Sequence, residues 1–328
     1  AIWVSFVVYP IQAHWAWNEA GWLAQMGFVD FAGSTVVHGI GGWIALAVIL
    51  ILGPRHGRYE QEREGRSMPG SNLPLAMLGA LMLMFGWFGF NGGSTLAFDG
   101  RVPGIIANTV LAAISGTLGG MLLSWWRWRL VDPVYPLNGL IAGMVAITAG
   151  AHVVDAGASV LIGLGGALVM YLADRVLNRL RIDDAVGAVP VHLASGVWGT
   201  LAVALFGDLS LIGTGLSRWE QFVAQLEGVL VAAVWAFGVT WILLRSINRF
   251  WPMRVTAEAE RKGLNIAEHG ARTELIELLE AMAAHQQAGD LQRDVPVEPF
   301  AEVGQIAAQY NKVIHALRRA VGMTQSII

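Results

Sequence analysis

The sequence predicts an all-helical protein that crosses a membrane several times and ends in a polar pair of helices. Three observations support this fold class. First, 55% of the 328 residues are hydrophobic and only 14% are charged, whereas soluble domains carry about 25% charged residues; the mean hydropathy is +0.54. Second, the segment 30–43 recurs in outline at 184–198. Third, the composition becomes polar after Arg254.

Apolar segments fill most of the chain before Arg254. The first is too short to count as a whole membrane span, and the N-terminus lacks the basic region and cleavage site of a signal peptide. There is no cysteine, which excludes disulfides and thiolate metal sites. The apolar segments lie at about 1–13, 32–53, 73–90, 104–126, 137–152, 156–173, 188–206 and 222–244.

The repeated stretch reads DFAGSTVVHGIGGW in its first copy and DAVGAVPVHLASGVW in its second. In each copy an acidic residue stands eight positions before a histidine, as Asp30 before His38 and Asp184 before His192. A glycine follows each histidine by four positions, and such small residues permit close helix packing. A histidine inside a membrane span is costly and indicates a functional site. The alternative is two unrelated histidines bonded to backbone carbonyls.

The two copies are predicted to run in opposite directions. At 1.5 Å per residue, each histidine lies about 12 Å from the acidic end of its helix. In a hydrocarbon core about 30 Å thick, helices entering from opposite faces would bring both imidazoles near the midplane. This is the geometry of an inverted repeat with its site at the repeat interface.

Arginines predict the orientation of the chain. They concentrate in alternate loops, and by the positive-inside rule those loops and the C-terminus are cytoplasmic. The helix carrying His38 then runs inward and the helix carrying His192 runs outward. The opposite loops contain only Arg101 and Arg218. The arginines of the cytoplasmic side are Arg55, Arg58, Arg63, Arg66, Arg127, Arg129, Arg175, Arg179, Arg181, Arg245, Arg249 and Arg254.

Two aromatic segments are then external. The segment 14–30 contains Trp17 beside two further tryptophans, and the segment GWFGFNGGS contains Trp87, Phe90 and Ser94. Clustered rings and glycines at an outer mouth favour a backbone approached by a passing ligand. The alternatives are an interfacial tryptophan belt for the first segment and helix packing for the second.

The chain after Arg254 is predicted to form a cytoplasmic connector at 255–270 and a helical signalling segment at 271–328. Two heptad patterns occur in that segment, in helices predicted over 271–286 and 299–320. Gly and Pro between them exclude a continuous helix. The pattern positions are Leu275, Leu278, Met282 and His285, then Val303, Ile306, Tyr310, Val313 and Leu317.

The segments DFAGSTVVH, GWFGFNGGS and DDAVGAVPVHLASGVWGT closely resemble the signature regions of the ammonium transporter (Amt/Rh) family, and the resemblance extends over about residues 1–270. It implies an inverted five-helix repeat and a homotrimer with one pore per subunit in a bacterial-type inner membrane. It also implies that His38 and His192 are twin pore histidines and that Phe90 is the inner gating phenylalanine.

The same resemblance identifies an external recruitment site for ammonium. Trp17 and Ser94 match its residues, Trp87 joins the pore residues, and Asp30 matches the acidic residue that shapes the vestibule and holds the helix start. Methylammonium would serve as an analogue of the substrate. A PII-type regulator or a fused signalling effector is a possible partner; no nucleic acid and no cofactor are expected.

The sequence departs from the family pattern at both ends. The family has eleven helices and this chain begins in what would be the fourth, so we expect a fragment of a longer product. The segment EPFAEVGQIAAQYNKV resembles the second helix of a HAMP signal-relay module. An ammonium channel and an ammonium sensor therefore both remain open. A membrane enzyme with a histidine metal site is the third alternative, but no HExxH motif is present.

Overall fold

The computed structural model describes residues 1–63, 68, 70–271, 274–289, 292–297 and 302–325. Within these ranges the regular secondary structure is entirely helical. The chain divides into two compact units, Ala1–Arg254 and Val255–Ile328. Some predicted features lie outside the described residues. They are Arg66 of the basic loop, residues 272–273 and 299–301 of the predicted tail helices, residues 290–291 and 298 of the turn between those helices, and residues 326–328 of the predicted signalling segment.

The first unit is built from helices that we number in chain order. Among the described residues, six of them are long and apolar enough to cross a membrane, namely α3, α5, α6, α8, α9 and α11. This confirms the prediction of a helical, multi-pass membrane protein. The helices are α1 (Tyr9–Trp17, preceded by a wide turn at Val4–Val8), α2 (Trp22–Gln25), α3 (Ser34–Leu52), α4 (Arg58–Arg63), α5 (Leu73–Gly93), α6 (Val102–Trp128), α7 (Val134–Ile147), α8 (Ala156–Leu180), α9 (Val189–Phe206), α10 (Leu209–Ile212) and α11 (Arg218–Phe250).

Helices α6, α7 and α8 pack most closely against one another. Glycines make this possible, because a Cβ atom on Gly116 would collide with the carbonyl of Gly139, and one on Gly143 would collide with the carbonyl of Ala112. Close backbone contact is the usual way in which helices gain van der Waals energy inside lipid, where no hydrophobic effect drives them together.

The crossing of α3 and α9 is reciprocal. A Cβ atom on Gly42 of α3 would lie 2.5 Å from Cβ of Leu193, and one on Gly196 of α9 would collide with the carbonyl oxygen of Ser34. Residue numbers rise along one helix as they fall along the other, so the helices cross antiparallel, as the inverted repeat predicts. Each glycine comes from one copy of the repeated stretch and accommodates the backbone of the other.

An ion-pair cluster joins the loop after α3 to the loop before α9. The Asp183 side chain is only 3% exposed and accepts from Arg55 Nε at 2.7 Å and Nη2 at 2.8 Å, while Arg58 approaches to 3.6 Å. Burial alone would raise the pKa of Asp183, but these bonds and charges outweigh it and hold the pKa below its usual value. The carboxylate therefore stays ionised at neutral pH.

The second unit contains α12 (Ala257–Lys262), α13 (Leu264–His269), α14 (Glu274–Ala288) and α15 (Glu302–Gln325). Its core joins Leu278, Val295 and Ala307. The side chain of Asn311 donates to the Val295 carbonyl and accepts from the Val295 amide, both at 2.9 Å. This pair of bonds fixes the extended connector against α15.

The buried face of α15 is not the whole of the predicted heptad stripe. Ala307, Asn311 and Ile314 are buried, one position along from the stripe that the sequence pattern favoured. Of that stripe, Val303 and Tyr310 pack partly on the core, whereas the three others are about half exposed within a single chain. These are Ile306, Val313 and Leu317.

The crossing of α3 and α9 can be tested with neighbouring glycines. We expect Gly42→Ala to lower the melting temperature of the detergent-solubilised protein, because overpacking a closed contact costs about 1–3 kcal/mol. Gly41→Ala is the matched control, since nothing lies within 4 Å of a Cβ atom built there. Its melting temperature should stay level or rise, because alanine favours a helix. Equal effects of both changes would contradict the packing assigned to Gly42.

Candidate functional site

Four of the predicted site residues form one cluster of rings around His38. The His38 imidazole stacks on His192 of α9, with ring centroids 5.3 Å apart and planes inclined by 20°. On α5, Trp87 stacks on His38 at 4.9 Å and Phe90 lies at 5.6 Å in a tilted arrangement. Residues from three distant segments of the sequence therefore meet at the crossing of α3 and α9.

Both histidines lie in wide, π-helical turns. One turn covers Ser34–Gly39 and the other covers Val189–Ala194. Such turns concentrate at functional sites, since the extra residue rotates the following side chains around the helix axis. Gly33 begins the first with φ of 112°, a conformation that glycine adopts readily. Neither turn was predicted from the sequence.

Trp87 is held in place through its ring nitrogen. Its Nε1 donates to Thr148 Oγ1 at 3.0 Å, and that hydroxyl donates in turn to the Met144 carbonyl. A cavity lies beside Trp87, and His38 is its one titratable lining residue; the other lining residues are apolar or glycine, namely Gly79, Met82, Leu83, Gly86, Trp87 and Phe90. An apolar cavity with an imidazole in its wall disfavours ions and can accommodate a small neutral molecule.

The imidazole pair keeps hydrogen-bonding capacity that the described residues do not use. His38 Nε2 and His192 Nδ1 are both buried and have no partner among the described residues. A buried polar atom without a partner costs about 1–3 kcal/mol and calls for an explanation. A role in hydrogen-bonding a passing molecule would explain why these two ring nitrogens have no partner in the described part of the chain.

Asp30 fixes the start of α3. Its carboxylate accepts four backbone N–H bonds at 2.8–3.0 Å, from the consecutive residues Gly33, Ser34, Thr35 and Val36. These are the donors that a helix leaves unpaired at its N-terminus. Asp184 plays a smaller matching role at α9, where its Oδ2 accepts from the Val189 amide at 2.7 Å.

Trp17 and Ser94 lie at the ends of different helices. Trp17 ends α1, is 41% exposed and donates from its Nε1 to the Asp30 carbonyl at 2.6 Å. Ser94 follows the last residue of α5 and donates from its hydroxyl to the Phe90 carbonyl at 2.8 Å. Through these bonds Trp17 is attached to the start of α3, and Ser94 to the ring cluster.

Two buried glutamines on α11 were not singled out by sequence analysis. Gln225 accepts from the Val29 amide and donates to the carbonyls of Val29 and Thr200, and Gln221 donates to the Gly27 carbonyl. Both side chains are fully buried. They hold the loop before Asp30, and the available signal was a pair of amides, one turn apart, in an apolar helix.

The described residues contain no group of three or more His, Cys, Asp or Glu side chains that could hold a metal ion. The pair formed by His38 and His192 is likewise too few ligands for a typical metal site. The geometry suits hydrogen bonding and proton exchange.

Comparison with known proteins identifies the family. The model of the Ammonium Transporter Family matches residues 1–274. The chain belongs to the ammonium transporter family. An ammonium transporter homologue of Synechocystis sp. is 46% identical, over 95% of this chain and 60% of the relative. Ammonium transporter Amt2 of Archaeoglobus fulgidus is 42% identical, over 82% of this chain and 62% of the relative. The chain thus spans about 60% of the length of these relatives.

Solved ammonium transporter structures share the fold. The chain matches a sensor Amt protein with a TM-score of 0.76 and 39% identity, covering 81% of this chain and 67% of that one. It matches Candida albicans Mep2 with a TM-score of 0.71 and 31% identity, covering 88% and 63% of the two chains. The family model ends at residue 274. The match to the Synechocystis relative covers 95% of this chain and therefore extends further into the second unit than the family model does.

Proposed function

We propose that the first unit forms the conducting part of an ammonium and ammonia channel, with His38 and His192 as the twin histidines of its pore. The observation that carries this proposal is the stacked imidazole pair with unpartnered ring nitrogens, whose His38 lines an apolar cavity. Membership of the ammonium transporter family supplies the substrate class.

The chemistry of the pore follows from the cost of burying charge. Losing hydration in the bilayer centre costs an ammonium ion far more free energy than it costs neutral ammonia. Deprotonation before passage is therefore favoured, and paired imidazoles can accept or pass a proton and hydrogen-bond the neutral amine. Potassium has no proton to give, so the same arrangement discriminates against it.

The entrance is proposed to be formed by Trp17 and Ser94 above Phe90. The Trp17 ring is anchored at its edge by the bond to Asp30, which leaves its faces for a cation–π contact worth about 0.5–2 kcal/mol. Ser94 donates its proton to the Phe90 carbonyl, so its oxygen lone pairs can still accept a bond from ammonium. Phe90 then separates this site from His38.

The cellular setting is also a proposal. The concentration of arginines in alternate loops supports insertion in an inner membrane with the C-terminus in the cytoplasm. Family membership supports a homotrimer with one pore per subunit and a possible PII-type regulator as partner. Division of the chain at Arg254 fits a membrane domain at 1–254, a connector at 255–270 and a HAMP-like signalling segment at 271–328.

A sensor is the second candidate function, and two observations favour it. One of the similar solved structures is a sensor Amt protein, and in the second unit Val295, from the segment between two helices, packs into the core that those helices share. In this role ammonium in the pore would bias the arrangement of α14 and α15, and an effector would read that change.

Removing either imidazole should change transport. In the full-length protein we expect His38→Ala and His192→Ala to lower methylammonium flux about tenfold or to relax selectivity against potassium, since each loses a hydrogen bond to the substrate. Flux into proteoliposomes measures both quantities. His152→Ala is the control, because that imidazole stacks on Phe31 away from the pair. Unchanged flux and selectivity in both pore variants would leave the histidines as packing residues.

The tryptophan at the entrance should affect affinity more than maximal rate. Trp17→Leu removes the ring face, and we expect the apparent KM for ammonium to rise about five- to tenfold, the equivalent of one cation–π contact. Trp22→Leu is the matched control, because Trp22 is equally exposed at 41%. Similar KM values in the two variants would make Trp17 an ordinary interfacial residue.

Signalling can be tested by distances within the second unit. The absence of native cysteine from this chain allows spin labels at Glu280 of α14 and Gln309 of α15, both exposed. If the protein is a sensor, ammonium should shift the distance distribution between the labels, because a ligand that prefers one membrane state biases the attached helices. His192→Ala should abolish the shift. Identical distance distributions with and without ammonium would contradict the sensor role and leave the channel as the one proposed function.

A further inference from the structure

Helix α11 meets both histidine-bearing helices at their C-terminal ends. Its first residue is Arg218, and Arg254 follows four residues after its last residue, Phe250. The two arginines therefore stand at opposite ends of a helix of 33 residues. Each places one guanidinium nitrogen between two backbone carbonyls.

The two contacts repeat each other closely. Arg218 Nη1 donates to the carbonyls of Ala204 at 2.8 Å and Gly207 at 2.7 Å, where α9 ends. Arg254 Nη1 donates to the carbonyls of Leu52 at 2.8 Å and Pro54 at 2.7 Å, where α3 ends. One helix thus caps α9 with one end and α3 with the other.

The carbonyls need these donors. A helix leaves its last carbonyls unpaired, and they carry the negative end of the helix dipole, so a cation beside them is stabilising. In α9 the amide that would ordinarily reach back to Ala204 belongs to Asp208, and it donates instead to the Val153 carbonyl at 2.8 Å. Arg218 supplies the missing donor to this carbonyl.

Between its ends α11 touches both helices again. Gln225 donates to the Thr200 carbonyl of α9, and Ala236 packs with Ile40 of α3 in one buried cluster. The wide turn at Ala233–Gly238 lies in this stretch and contacts α3. The helix therefore holds α3 and α9 at their ends and at their middles.

We propose that α11 is a tie that sets the position of α9 against α3, and that Arg218 and Arg254 are positioning residues for the imidazole pair. The arginines do not meet the substrate. They act by fixing the C-terminal ends of α3 and α9, the helices that carry His38 and His192. A shift of either helix would separate the two imidazole rings, which stack on each other. The transport consequences rest on the proposed function; the structural consequences do not.

The structural test uses Arg254→Gln in the full-length protein, with spin labels at Leu50 near the end of α3 and Val186 just before α9, both exposed. The distance distribution between the labels should shift or broaden. Arg245→Gln is the matched control, because it removes the same charge from an exposed position near the same end of α11. Arg254→Lys should recover most of the original distribution, since a single nitrogen makes both carbonyl contacts.

The transport test uses the same variants and Arg218→Gln. Maximal ammonium flux should fall about tenfold in Arg254→Gln and Arg218→Gln, equivalent to one lost charge-assisted hydrogen bond, while the apparent KM set at the entrance stays level. Recovery in Arg254→Lys excludes simple misfolding. If Arg254→Gln matches Arg245→Gln in both label distances and flux, the tie is refuted. Absence of flux in the unmodified protein would overturn the proposed function, and the label distances would still decide the tie.

Discussion

The site depends on the close antiparallel crossing of α3 and α9. Gly42 meets the backbone at Leu193, and Gly196 meets the backbone at Ser34, so a side chain at either position would force the two helices apart. The histidine four residues before each glycine then faces its counterpart, with centroids 5.3 Å apart. A repeat with the same spacing in both halves brings the two rings to the same depth, which unrelated helices would achieve only by coincidence.

Such close packing restricts where polar groups can be satisfied, because no water reaches the helix ends that it buries. The chain supplies internal partners instead. Asp30 accepts the four free amides at the start of α3, Ser34 bonds to the Val145 carbonyl, and Gln225 bonds the loop before them. His38 Nε2 and His192 Nδ1 have no such partner among the described residues. Under the proposed function, these nitrogens are the groups that bind the passing molecule.

Sequence patterns reached the helical class and the antiparallel repeat, because these depend on composition and on fixed spacing, whereas Trp87 and Phe90 were expected at the site from the family resemblance. His38 and His192 could be paired from their common distance to Asp30 and Asp184. The wide turns could not be predicted, since tertiary packing decides where a helical turn widens to include one more residue. The contacts of Gln225 and Arg254 were not predicted for a related reason. Their partners are backbone atoms far away in the chain, and backbone atoms leave no trace in a sequence pattern. The stripe of α15 was placed one position off, because two overlapping heptad patterns run along that helix.

The second unit has a small core and is therefore weakly stabilised. A few residues around Leu278, Val295 and Ala307 hold it together, and three of the five residues in the predicted heptad stripe of α15 stay about half exposed in one chain. Small cores give little stability on their own, so the arrangement of α14 and α15 is open to bias by small forces. The membrane unit is the opposite case, with glycine contacts and capped helix ends that resist displacement. In the proposed sensor, a firmly packed membrane unit is followed in the chain by a weakly stabilised pair of helices. In that combination a modest change in the first unit can alter the second, while the first keeps its own geometry.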